Sequence, residues 1–148
     1  MQVKQVDLTR GVDPEFAKRL RKLSTKETHE TGTVLFRRGD PAAFAYLLLM
    51  GRVRLTLGET GHVVQEINRA GTTFGWSSLA GRATYSASAA CVEPTTVLKL
   101  DRRDFQVLAA EDPKNAMIYY KRLAEVLGDR LIESYERYEK LFRGETRV

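Results

Sequence analysis

The chain has 148 residues, which is enough for one domain with a hydrophobic core but short for two. Its composition, 43% hydrophobic and 29% charged residues, is typical of a soluble globular protein, and a single cysteine excludes an intramolecular disulfide framework. Because the amino-terminal residues MQVKQVDLTRG contain no long apolar run, the sequence predicts no signal peptide, no membrane span and a cytoplasmic location.

The formal net charge of +5 arises mainly in the amino-terminal part of the chain. Residues 1–38 carry nine Lys or Arg against five Asp or Glu, whereas residues 39–148 carry 15 against 14. The excess includes four basic residues of one predicted helix: Lys18, Arg19, Arg21 and Lys22. Such a run either contacts nucleic acid or an acidic partner, or it is a solvated face, and we favour the solvated face.

A short amino-terminal helix is predicted for residues 13–23. Asp13 stands at its N-cap and Pro14 in its first turn, which are the positions these residue types prefer. Its apolar stripe consists of Phe16, Leu20 and Leu23. The helix is therefore expected to pack one side on the rest of the domain.

Residues 32–100 are predicted to form a barrel of short β-strands. The apolar period changes to two at this point, and turns follow at Gly39–Pro41, at Gly51 and at residues 58–61. The clearest alternation places Val53, Leu55 and Leu57 on one face. Two further strands flank Glu93–Pro94. Many short strands with glycine-rich turns indicate a closed sheet or sandwich and not a parallel α/β fold.

Two carboxy-terminal helices are predicted for residues 101–142. The first covers residues 101–111, and the second begins at Asp112–Pro113 and continues for about thirty residues. A heptad pattern follows the second helix, and its positions, the dimer seam, are Met117, Tyr120, Ala124, Leu127, Leu131, Ser134, Tyr138 and Leu141. A second stripe on another face consists of Tyr119, Leu123 and Val126.

The two apolar faces of this long helix predict a homodimer. The second stripe can pack on the barrel, which leaves the dimer seam to pair with a second copy of the chain. Ser134 is the one polar residue among the eight seam positions. The alternative is one wide stripe that packs entirely on its own barrel. We favour the dimer, because the seam continues beyond the point where a barrel would end.

The order of these elements resembles the cyclic nucleotide-binding domain family, the sensor domains of catabolite activator-type regulators. The residues GTVLFRRGDPAAFAYLLLMGRVRLTL and AGTTFGWSSLAGR are similar to that family, and the resemblance covers residues 14–142. It implies a single domain over residues 1–148, mainly β with flanking helices (α+β). The implied fold is a jelly-roll β-barrel of the cyclic nucleotide-binding type plus a long C-terminal helix that reports ligand occupancy. It also implies a phosphate-binding cassette at residues 74–87.

The cassette has the composition of an anion site. A Phe–Gly turn leads into the predicted short helix WSSLAG, whose free N–H groups favour an anion, and serine hydroxyls stand nearby. The candidate ligand-binding residues of the cassette are Phe74, Gly75, Trp76, Ser77, Ser78, Arg82, Tyr85, Ser86 and Ala87. The resemblance further implies a base contact from the long helix, at Ser134 or Tyr135.

The cassette departs from the family at both charged positions. The resemblance implies a Glu after Phe–Gly and an Arg before the small residue of the next strand, but this chain has Trp76 and Tyr85. Without these contacts, cyclic AMP or cyclic GMP is expected to bind about two to four decades more weakly than in the family. Arg82 either swings in to a phosphate or faces water. Trp76 either stacks on a planar ligand or fills the emptied pocket.

Catalytic and metal sites are not predicted. The two histidines, His29 before the first strand and His62 in a hairpin turn, cannot form a cupin-type metal cluster or a catalytic triad. Cys91 is expected to be a buried core residue. A DNA-reading helix-turn-helix does not follow the long helix, so sequence-specific DNA binding is not expected.

The sequence therefore predicts a regulatory ligand-sensing module that signals through its C-terminal helix and is not an enzyme. Its ligand is expected to be a cyclic nucleotide or a related phosphate, and no other cofactor is indicated. The alternative is a ligand-free interaction or dimerisation domain that has lost nucleotide binding and acts on a separate effector protein.

Overall fold

The computed structural model describes residues 8–58 and 61–144. Its helices are α1 (Pro14–Leu23), α2 (Arg102–Glu111) and α3 (Pro113–Phe142), and a short 3₁₀ helix covers Trp76–Ser78. Its strands are β1 (Thr25–His29), β2 (Val34–Phe36), β3 (Phe44–Met50), β4 (Val53–Leu57), β5 (His62–Ile67), β6 (Thr73–Phe74), β7 (Ser88–Cys91) and β8 (Thr95–Asp101).

The strands form two antiparallel sheets of four strands each. One sheet has the order β1-β8-β3-β6 and the other the order β2-β7-β4-β5. Their inner faces meet in a core that includes Leu48, Val53, Phe74 and Val97, all of them fully buried. The predicted architecture, mainly β with flanking helices and a long C-terminal helix, is confirmed.

A second core lies between the outer face of the first sheet and the three helices. Ala45 of β3 and Leu100 of β8 point outward because neighbouring residues of a strand alternate between its faces. They meet a helical layer that contains Phe16, Leu20, Phe105, Leu108, Tyr119 and Leu123. In α1, the predicted stripe is therefore correct for Phe16 and Leu20 but wrong for Leu23, which is 38% exposed.

Two strands of the first sheet were not predicted. β1 pairs along its whole length with β8, between the predicted helix and the predicted start of the barrel. Its sequence TKETH has no apolar alternation, because this edge strand is largely exposed. β6 has only two residues, which pair with Tyr46 and Leu47 of β3. Both strands are specified by their partners and not by their own composition.

The carboxy-terminal helices begin at aspartate caps, as predicted. The Asp101 side chain accepts a hydrogen bond from the backbone N–H of Arg103 (2.7 Å), and that of Asp112 accepts from the N–H of Asn115 (3.2 Å). Asp13 stands at the N-cap of α1, but its side chain makes no cap hydrogen bond to that helix. It accepts instead from the Asn115 side chain (3.1 Å), whose Oδ1 accepts from the Asp13 N–H (3.0 Å). The buried Asn115 thus joins the starts of α1 and α3.

The long helix α3 presents two different faces. Its second stripe packs on the barrel side, with Tyr119 and Leu123 buried, as predicted. The dimer seam is exposed at every position except Leu127, which is half-buried. The alternative of one wide stripe against the barrel is therefore not what the structure shows. Among the described residues, no helix combines the length and apolarity needed to cross a membrane.

Candidate functional site

The cassette begins with a glycine turn that only glycine can make. Phe74 is fully buried in the sheet core, and Gly75 follows it with a φ of +70°, in the left-handed region. A Cβ atom at Gly75 would lie 3.2 Å from the Phe44 carbonyl oxygen and 3.2 Å from the Tyr46 ring. The chain then makes one 3₁₀ turn, Trp76–Ser78, instead of the longer helix predicted for WSSLAG.

The two serines of this turn are both buried but lie differently. The Ser78 hydroxyl donates to the Gly75 carbonyl oxygen (3.0 Å) and so holds the turn. Ser77 lines a small cavity beneath the cassette. Of the two, Ser77 is placed to meet a ligand, whereas Ser78 has a structural contact.

Tyr85, at the position where the family resemblance implies an arginine, is part of the core. Its ring stacks on Phe36 with ring centroids 3.8 Å apart. Its hydroxyl accepts from the Phe44 N–H (3.0 Å) and donates to the Phe44 carbonyl oxygen (2.5 Å). Burial raises the pKa of Tyr85, while the bond to Phe44 opposes that shift. Its hydroxyl is thus tied to β3, and only the ring reaches the cavity.

Arg82 lies outside the cavity. The residue is exposed, and its carbonyl oxygen accepts a hydrogen bond from the Arg102 guanidinium (2.7 Å). Of the two alternatives for this arginine, the structure shows the one that faces solvent.

The cavity lies where the cassette, the second sheet and α3 meet. Its lining is formed by Phe36, Leu55, Gly75, Trp76, Ser77, Tyr85, Ser86, Ala87 and Arg130. The structure therefore brings together six of the nine predicted cassette residues and leaves out Phe74, Ser78 and Arg82. The volume of the cavity is about 30 Å³, which is room for about two water molecules. A whole nucleotide is larger than this space.

Arg130 of α3 also lines this cavity, and the sequence did not predict it. Its guanidinium lies 5.8 Å from the centroid of the half-buried Trp76 ring, a cation–π contact. Burial, and secondly the positive charge of Arg137, lower the pKa of Arg130, whereas Glu133 opposes the shift. Within the described part of the chain, no carboxylate lies within 4.0 Å of its guanidinium. The cation is therefore partly desolvated without a direct counter-ion.

A continuous stripe of α3 explains this placement. Its positions follow steps of four and three residues: Tyr119, Leu123, Val126, Arg130, Glu133 and Arg137. The stripe is apolar over the helical layer and becomes charged where it passes the cassette. Extending the second stripe beyond Val126 by the same steps places Arg130 on the barrel side of α3, although the spacing does not show that it meets the cassette.

Glu133 is the buried residue among the three charged positions of this α3 stripe. It is only 8% exposed, and its Oε1 lies 3.8 Å from the Arg137 guanidinium. Its Oε2 is buried and has no hydrogen-bond partner among the described residues, as is also true of the Gln65 side-chain oxygen on β5.

The predicted base contacts lie elsewhere. The Ser134 residue is exposed, and its hydroxyl donates to the Leu131 carbonyl oxygen (2.7 Å) of its own helix. Tyr135 is 61% exposed. Neither residue lines the cavity, because both lie on the side of α3 that faces away from the barrel.

The residues considered for catalysis are dispersed. His29 is the last residue of β1, where its Nε2 lies 3.0 Å from a carboxylate oxygen of Glu27, and His62 begins β5 in the other sheet. Cys91 is buried, and burial raises its pKa. Across residues 8–58 and 61–144 there is no group of three or more His, Cys, Asp or Glu arranged to hold a metal ion.

Comparison with known proteins agrees with the fold. The family profile described as the cyclic nucleotide-binding domain matches residues 26–112, more than half of the chain. A protein named as a potassium channel protein of Rhodopseudomonas palustris is 34% identical over 87 residues, which are 59% of this chain and 21% of that protein. The chain thus spans about a fifth of the length of that curated relative.

Solved structures give the same fold over most of the chain. The catabolite activator protein of Thermus thermophilus is 27% identical, with a TM-score of 0.76 over 92% of this chain and 63% of that one. A cyclic nucleotide-binding domain of Methylobacillus flagellatus is 24% identical, with a TM-score of 0.76 over 88% of this chain and 78% of that one. The chain belongs to the cyclic nucleotide-binding domain family.

Proposed function

We propose that this regulatory domain binds a phosphate-bearing ligand, a cyclic nucleotide or a related phosphate, in the cavity beneath residues 74–87. Occupancy would be transmitted through α3. The observation that supports this proposal most is that one residue of α3, Arg130, lines a cavity otherwise formed by the cassette and the sheet.

The small size of the cavity links ligand binding to the position of α3. A ligand larger than a few atoms has to displace Trp76 and Arg130, since the present volume is only about 30 Å³. Arg130 belongs to the same rigid helix as the exposed dimer seam. A ligand that binds only when Arg130 has moved therefore favours a different arrangement of α3, which is the energetic requirement for a switch.

Binding of common cyclic nucleotides is expected to be weak. The Tyr85 hydroxyl is already bonded to Phe44, and Trp76 offers no carboxylate for a ribose hydroxyl. Each missing charge-assisted hydrogen bond removes about 1.5–3 kcal/mol of binding free energy. The expected loss is about two to four decades in affinity.

A second candidate function is a ligand-free interaction domain. It is supported by the same cavity, since Tyr85 occupies part of it and Trp76 packs against the second core. In this case the exposed seam of α3 would be the functional surface and would contact a second copy or a separate effector protein.

Thermal shift and calorimetry distinguish these two functions. Cyclic AMP, cyclic GMP, a cyclic dinucleotide and inorganic phosphate would be titrated from micromolar to millimolar concentration. A ligand at a hundred times its dissociation constant adds about 2.7 kcal/mol, which for a domain of this size raises the Tm by roughly 5–11 °C. We expect such a rise only with a phosphate compound at millimolar concentration. Saturation at low micromolar cyclic AMP or cyclic GMP would contradict a weakened site, and no shift with any compound would support the ligand-free function.

We further propose that the chain forms a homodimer through α3. Within the described chain, Leu131 and Tyr138 of the seam are 52% and 69% exposed, and a Cβ atom at Gly128 beside them would meet nothing within 4 Å. Large apolar side chains on one helix face stabilise a helix pair when a second copy covers them.

The dimer is tested by a double substitution, Leu131→Lys with Tyr138→Lys. Two unpaired charges in an apolar interface should give a folded monomer, measured by analytical ultracentrifugation and circular dichroism. Asp129→Lys, on the opposite side of α3, is the matched control, because it adds the same two units of positive charge and should leave a dimer. Wild-type protein that sediments as a monomer at high micromolar concentration would contradict the proposal.

A further inference from the structure

We propose that Arg130 of α3 is the cation that binds the ligand's phosphate in this chain, in place of the arginine that the cassette lacks. This inference rests on the proposed function and names the residue on which ligand charge acts. It moves the phosphate contact from the sheet to the helix that is expected to report occupancy.

The cassette itself offers no available cation to a phosphate in the cavity. Tyr85 is neutral and bonded to Phe44, and Arg82 is exposed to solvent. Arg102 is also engaged, since its guanidinium donates to the carbonyl oxygens of Arg82 (2.7 Å) and Ala42 (3.3 Å). Among the described residues that line the cavity, Arg130 is the one with a positive charge.

Arg130 is electrostatically prepared for an anion. Among the described residues, its guanidinium contacts the face of Trp76, which attracts a cation but does not neutralise it. The neighbouring carboxylate, Glu133, is within ion-pair distance of Arg137 instead. A partly desolvated guanidinium gains more from a phosphate than a solvated one, and its planar fork matches two phosphate oxygens.

The cavity supplies small groups opposite Arg130. Gly75, Ser77, Ser86 and Ala87 line the same space and leave room for an anion to approach the backbone. A phosphate that enters there competes with the Trp76 ring for the guanidinium. The ring–cation contact is then exchanged for an ion pair, and α3 shifts by the difference between the two geometries.

The test compares Arg130→Gln with Arg137→Gln. Both variants remove one positive charge from α3, but the Arg137 side chain is 47% exposed and does not line the cavity. The probe is whichever of cyclic AMP, cyclic GMP and inorganic phosphate gives the largest thermal shift in the wild type. Isothermal calorimetry should show a loss of affinity of about 10- to 100-fold in Arg130→Gln and less than about threefold in Arg137→Gln. Arg130→Lys should recover part of the loss, because it restores the charge without the fork.

The fluorescence of Trp76 provides a second measurement, which can be made on the wild-type protein. Trp76 is the only tryptophan of the chain, so the tryptophan fluorescence reports the surroundings of this ring, which include Arg130. The emission should change as the phosphate probe saturates the site. With the matching neutral nucleoside, the change in emission should be small, and Arg130→Gln should have little effect on binding.

The outcomes separate this inference from the proposed function. If Arg130→Gln binds the probe as tightly as the wild type, or if Arg82→Gln causes the larger loss, the inference is overturned while a ligand site remains. If the wild type binds none of the three probes and no cyclic dinucleotide, both are overturned.

Discussion

Replacement of Tyr85 by alanine is expected to lower the free energy of unfolding by about 3–5 kcal/mol, the usual range for a buried aromatic residue. The side chain is 4% exposed, stacks on Phe36 and satisfies both backbone groups of Phe44. The substitution therefore removes packing and leaves a half-buried N–H and carbonyl without the Tyr85 hydroxyl. Urea unfolding followed by circular dichroism measures the effect.

Three further variants isolate the contribution of Tyr85 to the stability of the fold. Tyr85→Phe keeps the ring and should cost about 1–3 kcal/mol, because only the hydroxyl contacts are lost. Tyr135→Ala is the control for the loss of an exposed tyrosine, since this side chain is 61% exposed, and should change stability by at most about 0.5 kcal/mol. Tyr85→Arg, which restores the arginine of the family pattern, should destabilise the fold by placing a charge in the core. A Tyr85→Arg protein as stable as the wild type would contradict the structural role given to this residue.

Gly51→Ala is expected to lower the free energy of unfolding by about 2–5 kcal/mol through backbone strain and overpacking together. Gly51 makes the turn from β3 to β4, where the chain passes from one sheet to the other, with a φ of +103°. A Cβ atom there would lie 2.5 Å from the Pro94 carbonyl oxygen and 2.7 Å from the Thr95 Cα atom. Because these are backbone atoms, the turn itself has to move.

Gly39→Ala is a matched control for this substitution. Gly39 has a similar φ of +92°, but nothing lies within 4 Å of a Cβ atom there. Gly39→Ala should therefore lower the free energy of unfolding by the backbone strain alone, about 1–2 kcal/mol. Thermal unfolding of the two variants measures the difference, and equal losses would show that the turn at Gly51 accommodates the methyl group.

Elements with a regular apolar period could be predicted from the sequence. The thirty residues of α3 and the alternation of β4 were found because burial on one face leaves a period in the residues themselves. β1 could not be found in this way, since its residues TKETH are ordered by pairing with β8 and are largely exposed. Leu23 shows the opposite error. It has the spacing of a buried residue, but at the last position of α1 it is 38% exposed.

The candidate site could be predicted only where its residues are adjacent in the chain. The Phe74–Gly75 turn indicated the cassette, and Tyr85 was assigned to the position where the family resemblance implies an arginine. Its core contacts with Phe36 and Phe44 could not be derived, because they connect residues about fifty and forty positions away. Arg130 lies still further along the chain, and only the path of α3 across the barrel brings it to the cassette.

The bonds of Asn115 determine how α3 can move. This buried side chain ties the start of α3 to Asp13, and Tyr119 and Leu123 are buried in the second core, so a tilt of α3 is expected to pivot near its amino-terminal end. At 1.5 Å per residue, Arg130 lies about 22 Å from this pivot and the end of the helix at Phe142 about 40 Å. A tilt of about 10° would move Arg130 by about 4 Å and the end of the helix by about 7 Å. A displacement of Arg130 by about the length of one ion pair would therefore nearly double at the carboxy-terminal end of α3.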